Sequence, residues 1–122
     1  MKYLLVVLGG GCGSLARFLT GTAIMSRFGS RFPFGTLAVN LAGSFLIGFL
    51  MTLFTERLLP HPNWRLLLVV GFLGGYTTFS SLEYESFGLV RDGGLLLGVL
   101  NLGGSVIFGF VAVWLGSALA GK

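Results

Sequence analysis

The residues of this chain with chemical potential lie in the middle of an apolar stretch. Leu66 to Leu89 is long enough to cross a bilayer, yet its centre reads Gly74-Gly75-Tyr76-Thr77-Thr78-Phe79-Ser80-Ser81. Two adjacent glycines weaken a helix, and four hydroxyls can replace backbone hydrogen bonds. Irregular backbone at membrane depth is tolerated only where protein buries it or where it lines a wet cavity. Breaks of this kind present free backbone groups to ions, so the stretch predicts an ion site near the midplane.

Other polar residues fall in register with it. Thr36, Asn40, Ser44 and Gly48 recur every four residues and share one helix face, as do Asn101, Ser105 and Gly109. An asparagine in a bilayer costs free energy unless its amide is hydrogen-bonded. Each one alone reads as interhelical glue, worth roughly 1 kcal/mol or less. Two aligned stripes beside a disrupted helix read as a polar permeation track. Arg17 is about fifteen residues into the first apolar block, where a charge costs several kcal/mol unless it snorkels or pairs. No acidic residue precedes it. Glu83 and Glu85, late in the third block, are its candidate partners across helices.

The elements that must position these residues follow from composition. The chain has 122 residues, 54% hydrophobic and 10% charged, with mean hydropathy +0.91. A soluble domain carries roughly 25% charge, so this is an integral membrane protein. Four blocks, Tyr3–Met25, Gly35–Thr55, Leu66–Leu89 and Gly94–Leu119, each meet the ~20-residue requirement of a transmembrane helix. The expectation is therefore an all-α, single transmembrane domain spanning 1–122, with helices near 3–25, 35–55, 66–89 and 94–119 and the third one broken. The first block runs too far, without a small-residue cleavage site, for a signal peptide.

The net charge is +4, carried by residues that flank helices, which favours lipid headgroups over nucleic acid as the partner. With four spans, Lys2, Arg57, Arg65 and Lys122 share one side, and Arg27, Arg31 and Arg91 the other. Four against three chooses no orientation, and insertion both ways up fits that balance. Four helices hardly enclose a shielded path, so an oligomer is expected. The simplest closed assembly of two orientations is an antiparallel dual-topology dimer with its two-fold axis in the membrane plane. Gly9/Gly13, Gly71/Gly75, Gly94/Gly98 and Ser105/Gly109 are small-xxx-small pairs suited to close packing.

Catalysis finds no support. His61 stands between prolines in a loop with no acid or cysteine nearby, giving neither a metal site nor a triad. The lone Cys12 allows no disulfide within the chain. Gly11-Cys12-Gly13-Ser14-Leu15-Ala16 matches the dinucleotide fingerprint formally, but no strand precedes it and no acid follows at the required distance. Trp64 and Trp114 sit near span ends, as interfacial aromatics do.

Three segments carry a family resemblance: Gly-Ser-Leu-Ala-Arg-Phe at 13–18, Gly-Thr-Leu-Ala-Val-Asn-Leu-Ala-Gly-Ser-Phe at 35–45, and Gly-Phe-Leu-Gly-Gly-Tyr-Thr-Thr-Phe-Ser-Ser at 71–81. Over essentially its whole length the chain resembles the Fluc-type fluoride channels, the CrcB family. That resemblance implies an antiparallel dual-topology homodimer with two pores in the plasma (inner) membrane, carrying fluoride passively out of the cell. It implies a structural sodium ion at the dimer centre, bound by the backbone carbonyls of Gly74 and Thr77. It places Asn40, Phe79 and Ser105 on the fluoride path and matches Arg17 to the family's first-helix arginine. Independently of the resemblance, the hydroxyl of Thr36 can donate on the same path, and Glu85, as a candidate partner of Arg17, is expected with it at the vestibule. Two positions depart from the family pattern: its second phenylalanine falls on Leu82, and its fourth-helix tyrosine on Asn101. Leu82 lacks the partial positive ring edge a phenylalanine would offer an anion.

Two other classes fit the size. A proton-coupled, dual-topology multidrug exporter needs an ionisable group within the membrane, and the first two blocks contain no Asp or Glu. A membrane scaffold would use the polar stripes for packing alone, but pure packing has little need of disrupted backbone.

Overall fold

The computed structural model describes residues 1–122, and every regular element in it is a helix. Helix α1 is Lys2–Phe28; α2 is Phe34–Arg57, its last turn (Leu53–Arg57) wound more widely; α3 covers residues 62–76; α4 is Phe79–Arg91; and α5 is Leu95–Ala120. α3 and α4 together form one apolar stretch, so the chain has four segments long and apolar enough to cross a membrane.

Each segment runs a little beyond the apolar block that announced it, and local chemistry sets the ends. α1 stops at Gly29, whose φ of 82° turns the chain while its N–H donates to Met25 O at 2.8 Å. α3 starts four residues before Leu66. Pro62 occupies its first turn, where a missing N–H costs nothing, and the His61 ring accepts from the Asn63 N–H at 3.1 Å. His61 is thus a loop residue, as expected, and also caps the helix that follows it. Asp92 and Gly93 (φ 92°) turn the chain from α4 into α5.

Packing is built on small residues rather than on a large apolar core. The buried hydrophobic residues are few: Val39, Val69, Leu73, Tyr76, Leu82 and Ala120. Large apolar side chains such as Phe18, Phe108, Phe110 and Trp114 point outward. Lipid is as apolar as leucine, so helices associate by close backbone contact. A Cβ on Gly9 would strike the Leu67 carbonyl, and one on Gly13 the Phe72 carbonyl. One on Gly48 would meet Val113 O, and one on Gly116 would meet Phe45 O.

These contacts dictate the arrangement. α2 lies along α5, α1 lies along α3, and α4 lies against α5. The two parts of the third membrane segment thus pack on different neighbours, and the residues between them carry the change of direction. Gly74 and Gly75 do not make that change. Both are helical; a Cβ on Gly75 would collide with Gly10 O, whereas one on Gly74 would meet nothing nearer than Val69 O at 3.9 Å, so Gly75 serves the α1 contact and Gly74 does not. The backbone leaves helical geometry at Thr77 (φ −86°, ψ 156°) and Thr78 (φ −147°, ψ 123°). Extended backbone suits β-branched residues.

Gly13→Val should lower the thermal unfolding midpoint of the purified protein or prevent its recovery as a monodisperse species, because overpacking costs about 1–3 kcal/mol or more. Gly11→Ala, with no atom within 4 Å of its Cβ, should leave the midpoint unchanged or raised. Size-exclusion chromatography and a thermal melt check both.

Candidate ion site at the helix interruption

The interruption at Thr77 and Thr78 is held by one side chain from α2. Thr78 N–H donates to Asn40 Oδ1 at 2.8 Å, and Asn40 Nδ2 donates to Thr78 O at 2.9 Å. A single carboxamide thus satisfies both polar groups of one residue, as a neighbouring strand would. The Thr78 hydroxyl accepts from the Ser81 N–H at 3.3 Å and caps α4. Thr77 keeps its N–H on Leu73 O at 3.1 Å and adds its hydroxyl to the same carbonyl at 2.9 Å.

These diversions leave carbonyls without helical partners. In a continuous helix Gly74 O would accept from Thr78 N–H, and Thr77 O from Ser81 N–H. Both donors are engaged elsewhere. Gly74 and Thr77 border the same cavity. Hard oxygen donors of this kind suit a small cation, so the two positions expected to bind sodium fit such an ion.

Arg17 does not pair with an acid. Its Nε donates to Gly75 O at 3.1 Å, placing a guanidinium at the C-terminal end of α3, where a cation is favoured. Of its two candidate partners, Glu83 is exposed. Glu85 lines a cavity of about 560 Å³ together with Arg17, Thr36, Thr78 and Ser81. Its Oε1 is buried without a hydrogen bond. Arg17 and Glu85 therefore share a chamber without an ion pair.

A second cavity of about 530 Å³ lies between α2 and the third segment, lined by Asn40, Ser44, Gly74, Thr77, Thr78 and Phe79 among others. Thr78 belongs to both cavities. Phe79 is 74% exposed in the single chain. Leu82, which also borders this cavity, is only 6% exposed, so the leucine fills space within the chain while Phe79 projects from it.

Asn101 and Ser105 lie apart from both cavities. Asn101 is 2% exposed and donates through Nδ2 to Ser86 Oγ at 2.9 Å. Its Oδ1 and the Ser105 Oγ are buried without hydrogen bonds. The polar face of α5 thus meets α4 and α2 inside the chain, with Gly109 close to Ser44. The sequence reading did not single out Ser86. Its signal was the i, i+4 spacing from Leu82, which puts both on the buried face of α4. Gly75 was expected to weaken the helix and to pack closely, but its part as the acceptor for Arg17 was not legible, since nothing in a glycine's identity marks its carbonyl as an acceptor.

Four segments long and apolar enough to cross a membrane, with polar cavities among the first three, describe a multi-pass membrane protein. A family model described as CrcB-like protein, Camphor Resistance (CrcB), matches residues 4–117, and the chain belongs to that family. It is 65% identical over 120 residues to the fluoride-specific ion channel FluC of Solibacter usitatus, covering 98% of each chain. It is 45% identical over 122 residues to the protein of that name from Acidobacterium capsulatum (100% and 98% covered). It is 50% identical over 117 residues to that from Chlorobium phaeobacteroides (96% and 91% covered). These relatives are named as ion channels, a transport class and not an enzyme class.

Thr78→Val removes the α4 cap while keeping the β-branched shape, and should cost about 1 kcal/mol. Thr78→Ser should stay near wild type. Thermal midpoints of the two variants in one detergent check the difference.

Proposed function

We propose that this chain is a fluoride-selective channel through which the ion leaves the cell passively across the plasma (inner) membrane. It works as an antiparallel dual-topology homodimer with two pores. The observation that carries the reading is the junction at Thr78, where the Arg17 chamber meets the Asn40–Phe79 cavity. It occurs in a chain so similar over its whole length to proteins named for fluoride.

Fluoride is small and tightly hydrated, so a selective path must replace its water with close donors. Arg17 draws anions into the chamber by its charge. Thr36 offers a hydroxyl there. Asn40 spends one Nδ2 hydrogen on Thr78 O and keeps its second for an anion. The Phe79 edge, with its partial positive charge, stands beside it. Glu85 tempers the field of Arg17, so that an anion is admitted without being trapped, as conduction requires. Leu82 supplies an apolar wall in place of a second ring. On α5, apart from both cavities, Asn101 is held by Ser86, and Ser105, whose Oγ has no partner, is the hydroxyl left to donate to an anion that passes beyond them.

The dimer follows from the same residues. Gly74 and Phe79 are exposed in one chain, midway along the 62–91 segment. Disrupted backbone at that depth requires protein cover, and a second copy inverted about a two-fold axis would bring the two interruptions together. Gly74 O and Thr77 O of both copies would then hold a structural sodium ion. Such an ion, when bound, supplies fixed positive charge and ties the two interruptions together. A proton-coupled exporter of cations is disfavoured because its only chamber carboxylate, Glu85, stands in the field of Arg17.

Liposomes reconstituted with the purified protein should release fluoride rapidly, read with a fluoride electrode, and should retain chloride. Asn40→Asp removes the donor and places a negative charge on the path. An uncompensated charge of about 3 kcal/mol corresponds to a flux roughly a hundredfold lower. Normal conduction by Asn40→Asp would refute the path.

A further inference from the structure

The interruption releases more carbonyls than a central cation needs, and the structure shows how they are sorted. Gly75 O has lost Phe79 N–H as a partner and accepts from Arg17 Nε at 3.1 Å. Thr78 O accepts from Asn40 Nδ2 at 2.9 Å. Asn40 Oδ1 holds Thr78 N–H away from Gly74 O, and Thr78 Oγ1 holds Ser81 N–H away from Thr77 O. Tyr76 O is also without a helical partner, but Tyr76 is buried and borders neither cavity. What remains at the cavity wall is Gly74 O and Thr77 O.

We infer that Arg17 and Asn40 are positioning residues for the cation site, in addition to any part they play with anions. They act by occupation. Each fills a carbonyl that would otherwise compete for the ion or collapse onto the chain, and Asn40 also prevents Gly74 O from regaining its helical bond. The guanidinium fits this task at the end of α3, because its cost within the membrane is offset by a charge-assisted bond to a helix-terminal carbonyl. Both residues also face the proposed anion path, so one pair of side chains links the two ion sites. This rests on the cation-site reading given under Proposed function.

The test loads full-length protein, purified in detergent, with radiolabelled sodium, desalts it into choline buffer and follows release of the retained label. Fluoride flux is measured on the same preparations. Release should be at least about tenfold faster from Arg17→Gln and Asn40→Ala than from wild type, the size of one hydrogen bond to a charged group for Arg17 and of two neutral ones for Asn40. Arg17→Lys keeps a charged donor within reach of Gly75 O and should restore release to within about threefold of wild type. Wild-type release rates from folded Arg17→Gln and Asn40→Ala, even with fluoride flux lost, would overturn the inference and leave both residues to the anion path alone. If Asn40→Ala does not yield a monodisperse species, the Arg17 pair decides. A wild-type protein that conducts fluoride but retains no sodium would overturn the cation site, and this inference with it, while leaving the channel intact. Sodium retention with the expected variant pattern and no fluoride flux would uphold the inference and refute the channel.

Discussion

Everything near the site depends on one requirement: a peptide unit outside a helix at membrane depth must have its N–H and C=O bonded within the protein or open to a wet cavity. Asn40 meets that requirement for Thr78 with a single carboxamide. The consequences spread outward. Because Thr78 is satisfied from α2, α3 and α4 do not have to share one axis. α3 is therefore free to lie on α1 while α4 lies on α5. An aspartate at position 40 would accept from the Thr78 N–H but could not donate to its carbonyl, so the neutral amide alone serves both groups.

The glycines act at a different level. Gly9, Gly13, Gly71 and Gly75 let α1 and α3 approach until backbone meets backbone, and that approach carries Gly75 O within reach of Arg17. The small-residue packing that holds the helices is thus also what gives a membrane-buried charge its partner. Arg17 is tolerated because the C-terminal end of α3 presents a carbonyl and a favourable dipole together, without the carboxylate that charge pairing would demand.

The sequence showed the four segments, their approximate ends and the region where the third becomes irregular, because apolar length and hydroxyl clustering are local properties. It centred the irregularity on residues 74–81 by weighing the glycines as helix breakers. Gly74 and Gly75 are instead helical; at Gly75, tertiary contact with α1 overrides the glycine's propensity. The stripe containing Thr36, Asn40 and Ser44 was legible from its four-residue period, and these residues do line the two cavities. What each polar group bonds was not legible. Arg17 to Gly75 O spans 58 positions, Asn40 to Thr78 spans 38, and Asn101 to Ser86 pairs residues on different helices. Such pairings depend on how helices cross, which no local pattern encodes.

A single interruption can serve ions of both signs because a helix has two unlike ends. α3 ends at the interruption and presents carbonyls, the negative pole of its dipole; α4 begins there and presents amides, the positive pole. Gly74 O and Thr77 O, bordering the α2-side cavity, belong to the first pole. Ser81, in the first turn of α4 and facing the Arg17 chamber, belongs to the second. Had the chain remained one continuous helix, these partial charges would have cancelled along its length and neither pole would exist at this depth. Two extended threonines create both, and Asn40 keeps them apart. In the proposed channel, cation retention and anion passage are therefore two uses of one separation of backbone charge. A change that lets α3 and α4 rejoin would abolish both together.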